Sequence, residues 1–156
     1  MTSIFRNFRV FAALLVLALG AQPAFAAAAT VTGVDASTAN GVYGISAVID
    51  ITVTFSAPVT VTGTPTLTLA TGSTNRVVNY TTTSGGNVLH FPYTVQAGDT
   101  SADLDYIATA PQLQLASGTI KDGSSVDADL TLTAPSFPGS LGAIRNIVID
   151  TVPAVV

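Results

Sequence analysis

The chain has 156 residues with no cysteine, no tryptophan and a single histidine, and its nine acids against five Lys and Arg give a formal net charge of −4. Two of the bases, Arg6 and Arg9, fall in the first ten residues, so residues 27–156 keep only Arg76, Lys121 and Arg145 against nine aspartates, a charge of −6. Such a surface repels phosphate backbones and lacks the basic face that anionic membranes attract, which argues against nucleic-acid binding and against electrostatic membrane docking.

Residues 1–26 read as a cleavable secretory signal peptide. Arg6 and Arg9 form the positive n-region, Val10 to Leu19 (VFAALLVLAL) the apolar run, and Ala24-Phe25-Ala26 a small-x-small cleavage site. The apolar run is about half of the roughly 20 residues that a membrane-spanning helix needs. The expectation is an exported chain, secreted or at the cell surface, with no membrane insertion after cleavage. Residues 27–149 suffice for one domain, and residues 150–156 read as a linker. Without cysteine no disulfide can form, so the fold has to hold through its core, through a metal or through its neighbours.

From Thr30 onward the chain is a series of short extended segments. Thr30 to Val34 is a first strand, and Asp35 to Gly44 is a polar turn region around Asn40-Gly41. Val48 to Ser56 places Ile49, Ile51, Val53 and Phe55 on alternate positions, the period of a strand with one face in a core. Val59 to Thr62 and Thr66 to Ala70 follow, separated by the turn Gly63-Thr64-Pro65. Arg76 to Thr82 is the next strand, joined through Ser84-Gly85-Gly86-Asn87 as a hairpin to Val88 to Val95. In that last segment Leu89, Phe91, Tyr93 and Val95 point inward, His90 points outward, and Pro92, with no N–H to give, marks an edge or a bulge. Asp103 to Tyr106, Gln112 to Ala116, Gly118 to Lys121, Asp129 to Thr133 and Ile144 to Ile149 complete the strands, with loops at Asp122 to Asp127 and Ala134 to Gly142. No helical period sustains itself. Brief strands at this spacing predict an all-β fold, an antiparallel β-sandwich. The 23 threonines suit it, being β-branched and keeping a solvent face polar without charge.

The order of the pieces GVYG, IDITVTFSAPVTVTGTPTLTLATG, FPYTVQAGDTSADLDY, LQLASGTIKD, ADLTLTAPSFPGSLG and NIVIDTVP resembles the bacterial immunoglobulin-like repeats strung together in large surface and secreted proteins, adhesins among them. The resemblance runs from about Val31 to Pro153. It implies an immunoglobulin-like β-sandwich used as a spacer or adhesive unit, whose partners are adjacent repeats or cell-surface molecules. It also implies that the phrase IDTVP leads into a further repeat.

Candidate chemistry is sparse. A Ser-His-Asp triad would need His90 as its base, but no GxSxG elbow accompanies any serine, and an outward strand histidine is the simpler reading. One histidine and no cysteine leave too few ligands for zinc. Asp103 and Asp105 share a face of a short strand, roughly 6–7 Å apart, a spacing that glycosidase acid/base pairs also use, but only Tyr106 accompanies them. The sharper reading is calcium, which takes oxygen ligands from short carboxylates. Asp99, Asp103 and Asp105 lie within seven residues and Asp122 heads a second group with Asp127 and Asp129; Asp99, Asp103, Asp105 and Asp122 are the candidate ligands. The expected function is a non-catalytic structural or adhesive module, with calcium as its one candidate cofactor. The alternative is a stand-alone secreted carbohydrate- or small-ligand-binding β-sandwich. That alternative requires an open aromatic platform, whereas Tyr43, Tyr80, Tyr93 and Tyr106 are expected in packing.

Overall fold

The computed structural model describes residues 27–152, so the signal peptide expected over residues 1–26 and the last four residues of the expected linker lie outside the described residues. The central strand is β3 (Val48–Phe55). Ile49, Ile51, Val53 and Phe55 are buried, as the period-two pattern requires. It pairs antiparallel with β1 (Val31–Ala36) on one side and with β8 (Val88–Thr94) on the other, and β7 (Thr82–Ser84) completes the sheet β1-β3-β8-β7.

A second sheet is built on β5 (Thr66–Ala70). Along one edge runs β6 (Arg76–Asn79), and along the other lie β10 (Asp105–Tyr106) and β11 (Leu113–Gln114) in succession. Two smaller sheets pair β4 (Val59–Thr62) with β12 (Thr119–Asp122), and set β13 (Ile147–Asp150) between β2 (Gly41–Tyr43) and β9 (Thr100–Ser101). The fold is all-β, and its inward side chains form one core. Ile51, Phe55, Leu89, Phe91 and Tyr93 of the first sheet meet Leu67, Leu69, Val78 and Tyr106 of the second, with Ile120, Leu141 and Ile147 completing it. Among the described residues no helix is long and apolar enough to cross a membrane.

Four expectations are corrected. The strand expected over Arg76 to Thr82 is two strands in different sheets: Tyr80 N–H donates to Pro65 O, still beside β5, and Thr81 N–H already donates to His90 O beside β8. The segment Asp129 to Thr133 makes only the bridge Thr30↔Asp129, because Asp129 Oδ1 takes the Thr131 N–H at 2.9 Å and removes a donor from any ladder. The last strand starts at Ile147, not Ile144. Residues Leu141–Ile144 form a single helical turn, α1, whose N-cap Ser140 accepts from Ala143 N–H at 3.3 Å while Leu141 is buried. The pairing is also not wholly antiparallel. Gly41–Tyr43, expected as turn, forms β2 and runs parallel to β13.

Glycine matters where β4 turns beside β12. Gly63 has φ +69°, and a Cβ on Gly118 would sit 2.0 Å from Thr62 O, so the two turns close only without side chains there.

The two ends of the described chain are far apart. Thr30 is tied to Ser56 by Ser56 N–H to Thr30 O (2.8 Å) and Thr30 N–H to Ser56 Oγ (3.0 Å), next to the hairpin end of β3 and β8. Thr151 donates to Asp99 O (2.8 Å) and accepts from Gly98 N–H (3.2 Å), beyond Thr94 at the other end of β8. The β3–β8 ladder between them, from Thr54↔Val88 to Val48↔Thr94, spans about 20 Å at ~3.3 Å per residue.

Candidate functional site

The aspartates singled out for calcium are not brought together. Asp99 lies in the turn after β8 and is 1% exposed. Its Oδ1 accepts from Arg76 Nε at 2.7 Å, and its Oδ2 accepts from the Tyr93 hydroxyl at 2.7 Å and from Gln96 N–H at 2.9 Å. Burial works against its charge, but the hydrogen bonds from Tyr93, Gln96 and Arg76 outweigh it and hold the carboxyl below its ordinary value. The same burial, with the Asp99 charge beside it, pushes the Tyr93 phenol well up.

Asp105 is buried, and its carboxylate serves the backbone: Oδ1 accepts from Tyr106 N–H (2.9 Å) and Oδ2 from Ser136 N–H (3.0 Å). Asp103 is exposed, so the two do not share a strand face; the ladder begins only at Asp105. Partial desolvation and the charge of Asp105 raise the Asp103 carboxyl against one backbone hydrogen bond that lowers it. Burial, then the same Asp105 charge, pushes the Tyr106 phenol up to about 12. Asp122, at the end of β12, accepts from Ser124 N–H (2.8 Å) and Val126 N–H (3.0 Å) through one oxygen. Among the described residues no three His, Cys, Asp or Glu side chains gather in a way that could hold a metal ion. Acidity dense in sequence is dispersed in space because these carboxylates take separate partners, Asp99 the Arg76 and Tyr93 side chains, Asp105 and Asp122 backbone N–H groups of different segments.

The tyrosines are committed to packing. Tyr93 and Tyr106 are buried, and Tyr80 stands edge-on to Phe91 with ring centroids 6.2 Å apart at 64°. Tyr43 packs against the core and donates to Ala39 O at 2.7 Å.

Two features stand out on the β7–β8 side. The first is a surface cleft of about 250 Å³ between β6 and the last residues of β8, lined by Arg76, Asn79, Thr81, Pro92, Thr94 and Gln96. It opens because β7 pairs with β8 only over Val88 to His90, leaving Pro92 on a free edge where its missing N–H costs no ladder bond.

The second is a chain of hydrogen bonds across three strands. His90 points outward from β8, as its alternation requires. Its Nδ1 lies 2.8 Å from Asp50 Oδ2 on β3, and its Nε2 lies 2.8 Å from Ser84 Oγ on β7. Asp50 Oδ2 also accepts from Ser37 Oγ at 2.7 Å, and the Asp50 backbone N–H donates to Thr38 Oγ1 at 2.9 Å, so Ser37 holds the carboxylate oxygen that faces His90 and Thr38 holds the Asp50 backbone. In neutral His90 the carboxylate holds the proton on Nδ1 and leaves Nε2 to accept from Ser84. The His90 and Asp50 side chains are 19% and 31% exposed. Ser84 and Asp50 were not singled out in the sequence because they are diagonal neighbours of His90, not sequence neighbours. The registers Ser84↔Val88 and Asp50↔Pro92 carry the information, and a correctly paired hairpin was the only available signal.

No protein-family model, no curated protein and no solved structure matches the chain.

Proposed function

We propose that the chain is exported and that residues 27–152 form an immunoglobulin-like β-sandwich serving as a non-catalytic spacer or adhesive module of a repeat-type bacterial surface protein. The observation that carries this reading is the placement of the ends: Thr30 beside Ser56 and Thr151 beyond Thr94, at opposite poles of the β3–β8 ladder. A module that takes the chain in at one pole and hands it on at the other extends an array by its own length. One with adjacent ends folds the array back. The last strand β13 runs beside β2 toward the exit pole, and β1 runs from the entry pole. Tension between the ends therefore loads both pairings along the strands, where several hydrogen bonds must break together. The order of sequence segments supports the same reading, as does the leader-like pattern of residues 1–26. The partners are adjacent copies of such modules or molecules of the cell surface.

The test is small-angle scattering of residues 27–156 alone and as a tandem of two copies joined through residues 150–156. The maximum dimension of the tandem is expected to be close to twice that of the single copy. A tandem scarcely longer than one copy overturns the spacer reading.

A further inference from the structure

We propose that Ser84 is an activated nucleophile that accepts an acyl group from small activated esters at the open face of the sheet β1-β3-β8-β7. This goes beyond a spacer role and does not depend on it. Three observations carry it. Ser84 Oγ, His90 Nε2, His90 Nδ1 and Asp50 Oδ2 form an unbroken relay with both hydrogen bonds at 2.8 Å, in the order in which a general base is positioned for a serine. The relay is built on three adjacent, ladder-paired strands and not on loops, and Asp50 is further held by Ser37 and Thr38. Ser84 is exposed at the end of the edge strand, and the next two residues, Gly85 and Gly86, carry no side chain to cover it.

The step balances without an oxidant or a cofactor. Ser84 Oγ attacks the ester carbonyl carbon as its proton moves to His90 Nε2. The Oγ–C bond forms and the tetrahedral intermediate collapses. The bond from carbon to the leaving oxygen breaks, and the proton on Nε2 passes to that oxygen. The products are O-acyl-Ser84 and an alcohol, with Asp50 stabilising the transient imidazolium. The relay lies on an open sheet face, so the developing oxyanion is met by water instead of preorganised donors. The acyl donor must therefore carry a good leaving group, such as a phenol, and the reaction is stoichiometric instead of a rapid turnover.

The experiment treats the signal-cleaved protein with p-nitrophenyl acetate, follows p-nitrophenolate release, and maps the acetyl group by peptide mass spectrometry. The expected result is a burst of one equivalent with the acetyl on Ser84. Ser84→Ala is expected to abolish the burst, and Asp50→Asn to slow it by at least about tenfold, with melting curves confirming that both variants remain folded. Acetyl found on His90 or Lys121, or spread equally over exposed serines such as Ser124, overturns the proposal, as does an unchanged burst in Ser84→Ala. The mapping on the unaltered protein decides the question even if a variant fails to fold. An outcome with no acetyl on Ser84 leaves the relay as a polar clamp across three strands.

Discussion

The β3–β8 half of the molecule and the segment from Asp122 to Arg145 are held by different means. In β3 and β8 the backbone donors go into a continuous ladder, and Ile49, Ile51, Leu89, Phe91 and Tyr93 bury the inner face. The later segment has only the bridges Lys121↔Asp127 and Thr30↔Asp129 outside its named strands. Four of its backbone donors go to carboxylates, Ser124 and Val126 to Asp122, Thr131 to Asp129 and Ser136 to Asp105, while Ser125, Ala128, Asp129, Phe137 and Ser140 donate to single backbone carbonyls outside any ladder. Arg145 is fixed from its side chain by Asp35, whose carboxyl is lowered chiefly by the hydrogen bond from that guanidinium. Every buried backbone N–H needs a partner, and the two regions meet that demand in two ways. The short aspartate arm suits the second way, since it reaches backbone donors two to four residues on, as Asp122 does for Ser124 and Val126 and Asp129 for Thr131.

The largest expected effect comes from breaking the first region. Phe91 is fully buried at the middle of β8, with the Tyr80 ring on its edge. Phe91→Ala is expected to cost about 3–5 kcal/mol, read by urea denaturation as a lower midpoint with one cooperative transition. A loss under about 1 kcal/mol would show that this half does not carry the core.

Asp99 joins the two modes, because it is a turn carboxylate buried against the end of β8. Asp99→Ala strands the Tyr93 hydroxyl and leaves Arg76 without its partner. The expected cost is about 3 kcal/mol, near the low end for buried pairs because the Arg76 side chain is 24% exposed. The sign with pH follows from the lowered folded-state value. Relative to an unfolded carboxyl near 3.8, the Asp99 contribution is fully present above that pH and is lost as pH falls through the lower folded value. Melting temperature of the unaltered protein is therefore expected to fall as the pH drops below the ordinary carboxyl value of 3.8. The variant should start lower and show a shallower slope. Equal slopes would mean that other carboxylates carry the acid sensitivity.

What could be read from the sequence divides along the same line. Val48 to Phe55 and Val88 to Thr94 alternate strictly, and the structure gives those strands with the inward set as expected, Pro92 on a free edge included. The C-terminal third alternates only in fragments, and there local carboxylate and hydroxyl bonds decide the backbone. That is why Asp129 to Thr133 lost its ladder and Ser140 started a helical turn. The aspartates drew notice as a cluster, a one-dimensional property, whereas their partners are set by which donors fold beside them. The His90 relay was hidden for the converse reason. Its three members are spread from Asp50 to His90 in the chain and meet only through the registers of two strand pairs.

The smallest effect sharpens the comparison most. Asp122 is buried at the end of β12, and one of its oxygens satisfies two backbone donors. Asp122→Ala is expected to cost about 1–3 kcal/mol, and the loss should be local. Hydrogen exchange at the Ser124 and Val126 amides should accelerate, while the amides of β3 and β8 keep their protection. The adjacent ion pair of Lys121 with Asp127 is the control, since Asp127 is 76% exposed. Lys121→Ala should change stability by no more than about 0.5 kcal/mol and leave both amides protected. If Asp122→Ala instead speeds exchange in β3 by the same factor as at Ser124, the loop opens only when the core does. The carboxylate-held segment and the ladder would then be one cooperative unit, held by the core and not by two separate means.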